Sequence, residues 1–290
     1  MQNKKLAWSL LIILSLVWGS SFILMKRGLD AFSSDEVAAL RISIAFVFLS
    51  PLIIKYHKIN FKKYWFGLIL MGVFGNLMPS FLFTKAETEI SSSLTGMLNA
   101  LTPLFTVLLG FFWLKIKPDK RQIAGIFIGF IAAVCLMYFD SNDEHSKNAM
   151  FGLFVVAATF FYAMSVNGIR KYLHDLNSIT ATLWAFIIIG PIAIIYLFVF
   201  SDFTIHLHTS PMALKSFGYI SILAIVGTAL SVIFFNVLIK QAGAVFASTC
   251  TYLIPIVAIG WGVVDGEAVN IVQLMSILII ILSVYLLNRR

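Results

Sequence analysis

Amide and hydroxyl side chains recur at helical spacing within several apolar segments of this sequence. Asn76, Ser80 and Thr84 follow one another at intervals of four residues, so they share one face of a helix. A second column, at intervals of four, three and four residues, comprises Thr95, Asn99, Thr102 and Thr106. Polar groups are costly in hydrocarbon unless they have partners, so such columns line a wet cavity or bridge to a neighbouring helix. Both alternatives stay open from sequence.

One cation and two aromatic residues extend this set of candidates. Arg41 lies about 9 Å inside an apolar segment, where its guanidinium could bind an anionic group such as a substrate carboxylate. It could also reach outward to water or pair with Asp35 or Glu36. Trp18 and Tyr162 could form a gate or a stacking wall, or anchor their helices at the membrane interface.

The sequence therefore predicts a substrate-binding cavity built mainly from amides, hydroxyls and aromatic rings. The predicted cavity residues are Trp18, Ser21, Arg41, Asn76, Thr84, Asn99, Tyr162, Thr228, Asn236 and Thr251. Pro103 and Pro255 each remove a backbone donor and bend a helix, as a gating hinge or as a static kink.

Catalytic and metal-binding patterns are missing from the sequence. Its 13 acidic residues can all be assigned to loops or helix ends, which predicts no buried carboxylate for proton or sodium relay. Coupling through Glu87, Glu89 or Glu267 near the outer face stays open. We expect no catalytic residues, metal or cofactor and no enzymatic activity. The alternatives are an intramembrane enzyme acting on lipid-linked substrates and a membrane sensor or assembly factor that transports nothing.

The elements that position these residues follow from composition. Of the 290 residues, 60% are hydrophobic and 12% are charged, against about 25% charged in a soluble domain. A soluble globular protein is thereby excluded. Apolar runs bounded by charges predict ten transmembrane helices, at 6–26, 34–54, 64–84, 91–114, 120–139, 149–169, 178–200, 215–239, 243–264 and 268–287.

Charge distribution predicts the orientation of these spans. Most of the 21 lysine and arginine residues fall on the cytoplasmic side if the N-terminus is cytoplasmic, so the positive-inside rule predicts that both termini are cytoplasmic. The net charge of +8 then reflects loop clusters rather than nucleic-acid binding. We expect a multi-pass protein of the inner or plasma membrane, monomeric or homodimeric, whose partners are the lipid bilayer and a small-molecule substrate.

A weak internal repeat divides the chain into two halves. When the sequence is aligned with itself, Pro103 matches Pro255 and Asn99 matches Thr251. A second alignment, near the start of each half, matches Trp18 with Tyr162. Five spans per half is an odd number, so the second half must enter the membrane inverted. The predicted all-α fold has two inverted five-helix repeats, at 1–139 and 149–290, as in many secondary transporters.

Several short motifs support a family resemblance. They are Trp18–Phe22, Arg41, Ile90–Leu94, Leu98–Pro103, Gly243–Ser248, Leu253–Pro255 and Gly266–Glu267. With these motifs the sequence resembles the EamA-like branch of the drug/metabolite transporter superfamily. The glycine–glutamate pair of the family appears after the ninth span, whereas Leu114–Lys115 follows the fourth. The resemblance implies a ten-helix bundle with a central cavity, peripheral fifth and tenth spans, and export or exchange of small metabolites.

Together these patterns predict a secondary transporter. We expect it to export small polar metabolites, such as amino acids or related organic compounds, by alternating access between the two halves.

Overall fold

The computed structural model describes residues 4–138, 145–243, 246–247 and 249–288, and these residues form helices joined by short connections. In the first half the helices are α1 Lys4–Gly19, α2 Ser21–Leu29, α3 Ser34–Leu49, α4 Ile53–Tyr56, α5 Phe61–Ile69, α6 Met78–Ala86, α7 Ser92–Leu98, α8 Thr102–Leu114 and α9 Lys120–Tyr138. In the second half they are α10 His145–Tyr172, α11 Ser178–Val199, α12 Phe203–Thr209, α13 Ala213–Ile222, α14 Ser231–Ala242, α15 Ile254–Val264 and α16 Ile271–Asn288.

Seven spans among the described residues are long and apolar enough to cross a membrane. They are Lys5–Leu29, Ser34–Tyr56, Phe61–Ala86, Ser92–Leu114, Met150–Tyr172, Ser178–Val199 and Ala213–Ala242, with shorter apolar helices at Ile254–Val264 and Ile271–Ser283. The apolar windows of these spans are only 44–61% buried. Leu214, Ile54 and Val264 are 83%, 80% and 79% exposed. A surface this apolar is suited to lipid rather than water.

Helix ends differ from the predicted boundaries where a side chain caps the helix. The span predicted at 64–84 extends over Phe61–Ala86, because the Asn60 side chain accepts a hydrogen bond from the Lys63 amide and starts the helix earlier. Ser33 and Glu36 form a capping box at the start of α3, close to the predicted start at 34. In the predicted span 243–264, α15 begins only at Ile254, and Ala244, Val245 and Ser248 lie outside the described residues.

Non-α segments interrupt the spans at matching places in the two halves. π-helical turns cover Leu70–Leu77 and Leu223–Leu230. A 3₁₀ turn at Asn99–Leu101 precedes Pro103, and another at Thr249–Tyr252 precedes Pro255. Both prolines occupy the first turn of the helix that follows, where no backbone donor is needed. Each proline therefore lies at the start of an α-helical segment that follows a 3₁₀ turn.

The two halves pack through each other's helices. Helix α1 packs against α14 and α15, α2 packs against α13, and α3 packs against α11. Helices α9 and α16 pair extensively. One apolar cluster joins Phe22 and Leu98 of the first half to Ile254 and Ala258 of the second. The centre of the bundle is therefore built jointly by both halves.

Ion pairs connect the halves at both ends of the bundle. At one end, which we call the Glu267 end, Lys26 lies 2.7 Å from both Asp265 and Glu267, and Arg27 pairs with Asp265. At the opposite end, which we call the Asp175 end, Lys63 pairs with Asp175, and the Tyr64 hydroxyl donates a hydrogen bond to the same carboxylate at 2.9 Å. Both ends are therefore tied across the halves.

Candidate substrate cavity

A cavity of about 100 Å³ lies between the two halves. A space of this size holds several water molecules, since one water needs roughly 10–15 Å³ by the same measure. Its polar wall comprises Trp18, Ser21, Arg41, Asn76, Asn99, Thr102, Tyr162, Ser165, Asn236 and Thr251. Its apolar wall comprises Phe22, Met25, Met71, Phe83, Val166, Ile169, Val232, Phe235 and Ile254, with Gly75 and Gly227. The interrupted segments of both halves border this space.

Arg41 is the cation of the cavity wall. It is 7% exposed, its Nε donates to Thr228 Oγ1 at 2.7 Å, and Nη1 approaches Met25 Sδ at 3.7 Å. The Tyr162 hydroxyl also interacts with this guanidinium. Among the described residues no carboxylate lies within 4.0 Å of Arg41, and Glu36 pairs instead with His206 at 2.8 Å. Among the described residues the guanidinium therefore pairs with neither Asp35 nor Glu36, and it retains donors for an anion in the cavity.

Two predicted cavity residues lie off the wall. Thr84 is fully buried, and its hydroxyl donates to the carbonyls of Ser80 and Phe81 on its own helix. Thr84 comes eight residues after Asn76, so its side chain is rotated about 80° around the helix axis from the direction of Asn76. Phe83 comes seven residues after Asn76 and is rotated by only about 20°. Phe83 therefore lines the cavity in place of Thr84. Thr228 lies behind the wall, where it accepts from Arg41 and donates to the Leu223 carbonyl.

The amide side chains of the wall use some of their hydrogen-bonding atoms within the protein and leave others unused. Asn76 Nδ2 donates to the Met71 carbonyl at 2.9 Å, five residues earlier, and so stabilises the π-helical turn. Asn236 Nδ2 bridges to Thr182 Oγ1 at 2.9 Å, while its Oδ1 has no partner among the described residues. Asn99 sits in the 3₁₀ turn, and Thr102 Oγ1 lies 3.5 Å from its Oδ1. Asn236 thus both bridges to a neighbouring helix and lines the cavity, whereas Asn76 and Asn99 line the cavity and bond within their own spans.

Aromatic rings form much of the cavity wall. Trp18 Nε1 donates to the Gly227 carbonyl at 3.0 Å, and its ring meets Phe235 edge-on at 4.9 Å. The Tyr162 ring lies 5.6 Å from Phe83. Trp18 and Tyr162 therefore face the cavity rather than the membrane interface. The sequence did not single out Phe83 or Phe235, because phenylalanines are frequent throughout the chain, at 27 residues.

Glu87 contradicts the prediction that no carboxylate is buried. It follows α6 directly and is 8% exposed, and neither of its carboxylate oxygens has a hydrogen-bond partner among the described residues. Burial raises the pKa of this carboxyl well above its ordinary value; the negative charge of Glu267 adds to the rise, and Lys26 and Arg41 oppose it. A position at a helix end did not reveal the burial, which arises from packing of α6 against α3 and α10.

Glu267 is another enclosed carboxylate, and its environment is the opposite of that of Glu87. Its Oε1 accepts from the Ser92 amide and hydroxyl, at 3.0 and 2.8 Å, and its Oε2 from those of Ser93, at 3.0 and 2.6 Å. The carboxylate thus caps the N-terminus of α7. Burial alone would raise the pKa of Glu267, but hydrogen bonds from Lys26, Ser93 and Ser92 lower this pKa to about 2.

The matching position in the first half carries no carboxylate. Lys115 follows α8 there, in a left-handed conformation with φ of 55°. The two ends of the bundle are therefore held by different chemistry. Among the described residues, no three His, Cys, Asp or Glu side chains converge as metal ligands.

The sequence model of the EamA-like transporter family matches this chain twice, at residues 5–138 and 150–289. The chain therefore belongs to the EamA-like transporter family. Its long apolar spans and its relatives make it a multi-pass membrane transporter.

Named relatives and one solved structure resemble the chain over nearly its full length. An uncharacterized transporter of Bacillus subtilis (strain 168), YyaM, is 24% identical over 280 residues, covering 95% of this chain and 91% of the relative. The uncharacterized inner membrane transporter YedA of Escherichia coli (strain K12) is 22% identical and covers 96% and 89%. A crystal structure at 14% identity superposes with a TM-score of 0.68, covering 99% of this chain and 97% of that one, which shows a shared fold.

Proposed function

We propose that this protein is a secondary transporter that exports small polar metabolites, such as amino acids or related organic compounds, by alternating access. The observation that carries the proposal is the cavity shared by the two halves. Its wall offers one guanidinium, several amides and hydroxyls, and aromatic rings on which an organic group can stack. In this proposal ATP hydrolysis plays no part.

The chemistry of the wall favours a substrate that carries a carboxylate. Arg41 is a buried cation with no acidic partner within 4.0 Å among the described residues, and its donors suit a carboxylate in bidentate geometry. The amides of Asn99 and Asn236 provide both donors and acceptors for further polar groups. Phe83 and Phe235 make part of the cavity wall apolar. We infer that the substrate is small, polar and at least partly anionic.

Alternating access is supported by the matching construction of the halves. π-helical and 3₁₀ turns occur at corresponding places in each, next to the cavity. Broken helices around a central site are typical of transporters built from inverted repeats. We propose repeats at 1–139 and 149–290 related by inversion; residues 139–144, at the junction of the proposed repeats, lie outside the described residues. Ten transmembrane helices complete the proposal.

In the proposed cycle, ion pairs at the two ends act as alternate gates. Opening the Glu267 end requires separation of Lys26 from Asp265 and Glu267. Opening the Asp175 end requires separation of Lys63 from Asp175. We propose the Asp175 end as cytoplasmic because the positive-inside rule places basic clusters there, and the inner or plasma membrane as the location. Pro103 and Pro255 restart the helices beside the cavity and are the proposed hinge positions.

The test combines substrate discovery with a cavity variant. Metabolite profiling of medium from deletion and overexpressing cells identifies candidate substrates, and uptake into proteoliposomes confirms them. We expect Asn99→Leu, which removes an amide from the wall, to lower the transport rate at least about tenfold, since a lost hydrogen-bonding partner leaves polar substrate groups unpaired.

The matched control for this variant is Thr159→Val. Thr159 is fully buried, lies off the cavity wall and bonds only to its own helix, so its loss should leave transport unchanged. Transport at the parental rate by stably expressed Asn99→Leu would disprove the proposed site. Proteoliposomes that move no metabolite from the profile would count against the transport proposal and favour a sensor or assembly factor.

A further inference from the structure

Glu87 is an acidic side chain for which the packing provides no partner. It is 8% exposed, and both carboxylate oxygens are buried without a hydrogen bond from any described residue. It follows the C-terminal end of α6, where the helix dipole is unfavourable for negative charge. An ionised carboxylate in such a place is costly, whereas a protonated one is neutral. The geometry therefore favours the protonated acid in this conformation.

The charges around Glu87 come from three other segments. Glu267 faces it from the connection after α15, Lys26 from α2 and Arg41 from α3, while Lys85 and Glu89 next to it are exposed. Lys26 is already held by Asp265 and Glu267. Arg41 bonds to the neutral groups of Thr228 and Met25, and the hydroxyl of Tyr162 interacts electrostatically with it. Neither cation therefore forms an ion pair with Glu87, although both lie within electrostatic reach.

Glu87 also connects to the cavity through Arg41. Phe83, one helical turn before Glu87, lines the cavity, and Arg41 lines it from the neighbouring helix. When Glu87 is neutral, the guanidinium of Arg41 is free to attract an anion in the cavity. When Glu87 is ionised, its carboxylate competes for the same guanidinium. The charge of Glu87 thus contributes to the electrostatic potential that a substrate carboxylate meets beside Arg41.

We propose that Glu87 is a proton-binding site whose occupancy is linked to anion binding at Arg41. On release, the O–H bond of the carboxylic acid breaks, the proton passes to water at the Glu267 end once the Lys26 ion pairs separate, and a carboxylate remains. That carboxylate then pairs with Arg41 in place of the substrate. Linkage is reciprocal, so proton binding strengthens anion binding and anion binding strengthens proton binding. Proton and substrate anion consequently bind together.

The inference deepens the transport function proposed above and rests on it for its biological role. Infrared titration of the purified full chain in lipid separates the two, because it detects the protonated carboxyl group in a protein that is not transporting. Wild type should show a protonated carboxyl band at pH 7. Glu87→Gln, an isostere of the protonated acid, should lose it, and the exposed control Glu89→Gln should retain it.

Further variants test the linkage to Arg41. Arg41→Gln removes an opposing positive charge, so the midpoint of the band should shift to higher pH. Acetate, as a minimal carboxylate probe, should shift the wild-type midpoint in the same direction, whereas chloride at equal concentration should not. Glu87→Asp keeps a carboxyl band at a changed frequency and serves if the glutamine variant does not fold.

Three results would overturn the inference. A wild-type spectrum without a protonated carboxyl band at pH 7, or a band that persists in Glu87→Gln, disproves the proton site. A midpoint that acetate and Arg41→Gln both leave unchanged disproves the linkage. Failure of the protein to transport any metabolite, with these spectra as expected, would count against the transport proposal alone.

Discussion

Two carboxylates near the Glu267 end show how the local environment decides the state of one chemical group. Glu267 accepts bonds from two amides, two hydroxyls and Lys26, so it is stable as an anion. Glu87 accepts none from the described residues. The anion of Glu267 in turn disfavours a second negative charge at Glu87. One residue ties helices together, and the other is suited to gain and lose a proton.

Replacing Glu267 should weaken the fold in a pH-dependent way. Its folded-state pKa is lowered from 4.5 to about 2, so its stabilising contribution is present above pH 4.5 and is lost as pH falls towards 2. Because it caps a helix N-terminus, we expect Glu267→Gln to lower the free energy of unfolding by about 1–2 kcal/mol at pH 7. Chemical unfolding in detergent, compared with Glu89→Gln, measures the difference. A deficit of the same size at pH 7 and pH 3 would show that the carboxylate charge is not involved.

At the scale of elements, the interrupted helices shape the cavity. The π-helical turns leave carbonyls that Asn76 and Thr228 satisfy from five residues further on. Thr228 can then also accept from Arg41, so one turn both positions the cation and satisfies its own backbone. Close helix crossings complete the wall. Gly96 of α7 lies against Ala258 of α15, where the absence of a side chain lets the two halves approach.

Two glycine-to-alanine substitutions distinguish the effect of close helix packing on stability from the effect of helix propensity. A Cβ at position 96 would meet Ala258 Cβ and the Phe22 ring, so Gly96→Ala should destabilise the protein by about 1–3 kcal/mol. A Cβ at Gly260 meets nothing within 4 Å, so Gly260→Ala should stabilise α15 by about 0.5–1 kcal/mol. Thermal unfolding of the two variants in one detergent gives the comparison. If Gly96→Ala were as stable as wild type, the crossing of α7 and α15 would be looser than described.

At the scale of the whole molecule, the two ends differ in chemistry. The Glu267 end is held by carboxylates that bind Lys26, Arg27 and the α7 N-terminus. The Asp175 end depends on the Lys63–Asp175 pair, and Lys115 occupies the place where a matching glutamate would cap a helix. Hydrogen bonds from Lys63 and Tyr64 lower the pKa of Asp175 to about 2, so this pair persists through the physiological range. We infer that the two ends open with different energetic costs.

Cysteine labelling tests the proposed orientation of these ends. The free cysteines Cys135 and Cys250 are first replaced by alanine, and a single cysteine is then placed at an exposed connection. In intact cells, a membrane-impermeant maleimide should label Asp202→Cys, near the Glu267 end, and should not label Lys58→Cys, near the Asp175 end. After the cells are opened, both should react. The reverse pattern would place the termini outside the cytoplasm.

The sequence by itself determined the membrane class, the apolar segments and most of the polar residues of the cavity wall. Hydrophobicity and polar columns are local properties, so Arg41, Asn99 and Asn236 could be singled out before any packing was known. The observed helix ends differ from the predicted ones where a side chain caps the helix, as Asn60 does. Phe83 lies on the cavity wall where Thr84 was predicted, because of the 3.6-residue helical period. Tertiary packing alone decided that Arg41 faces hydroxyls rather than Asp35, and that Glu87 is buried without a partner. Burial and pairing depend on which distant helices meet, and spacing along the chain does not contain that information.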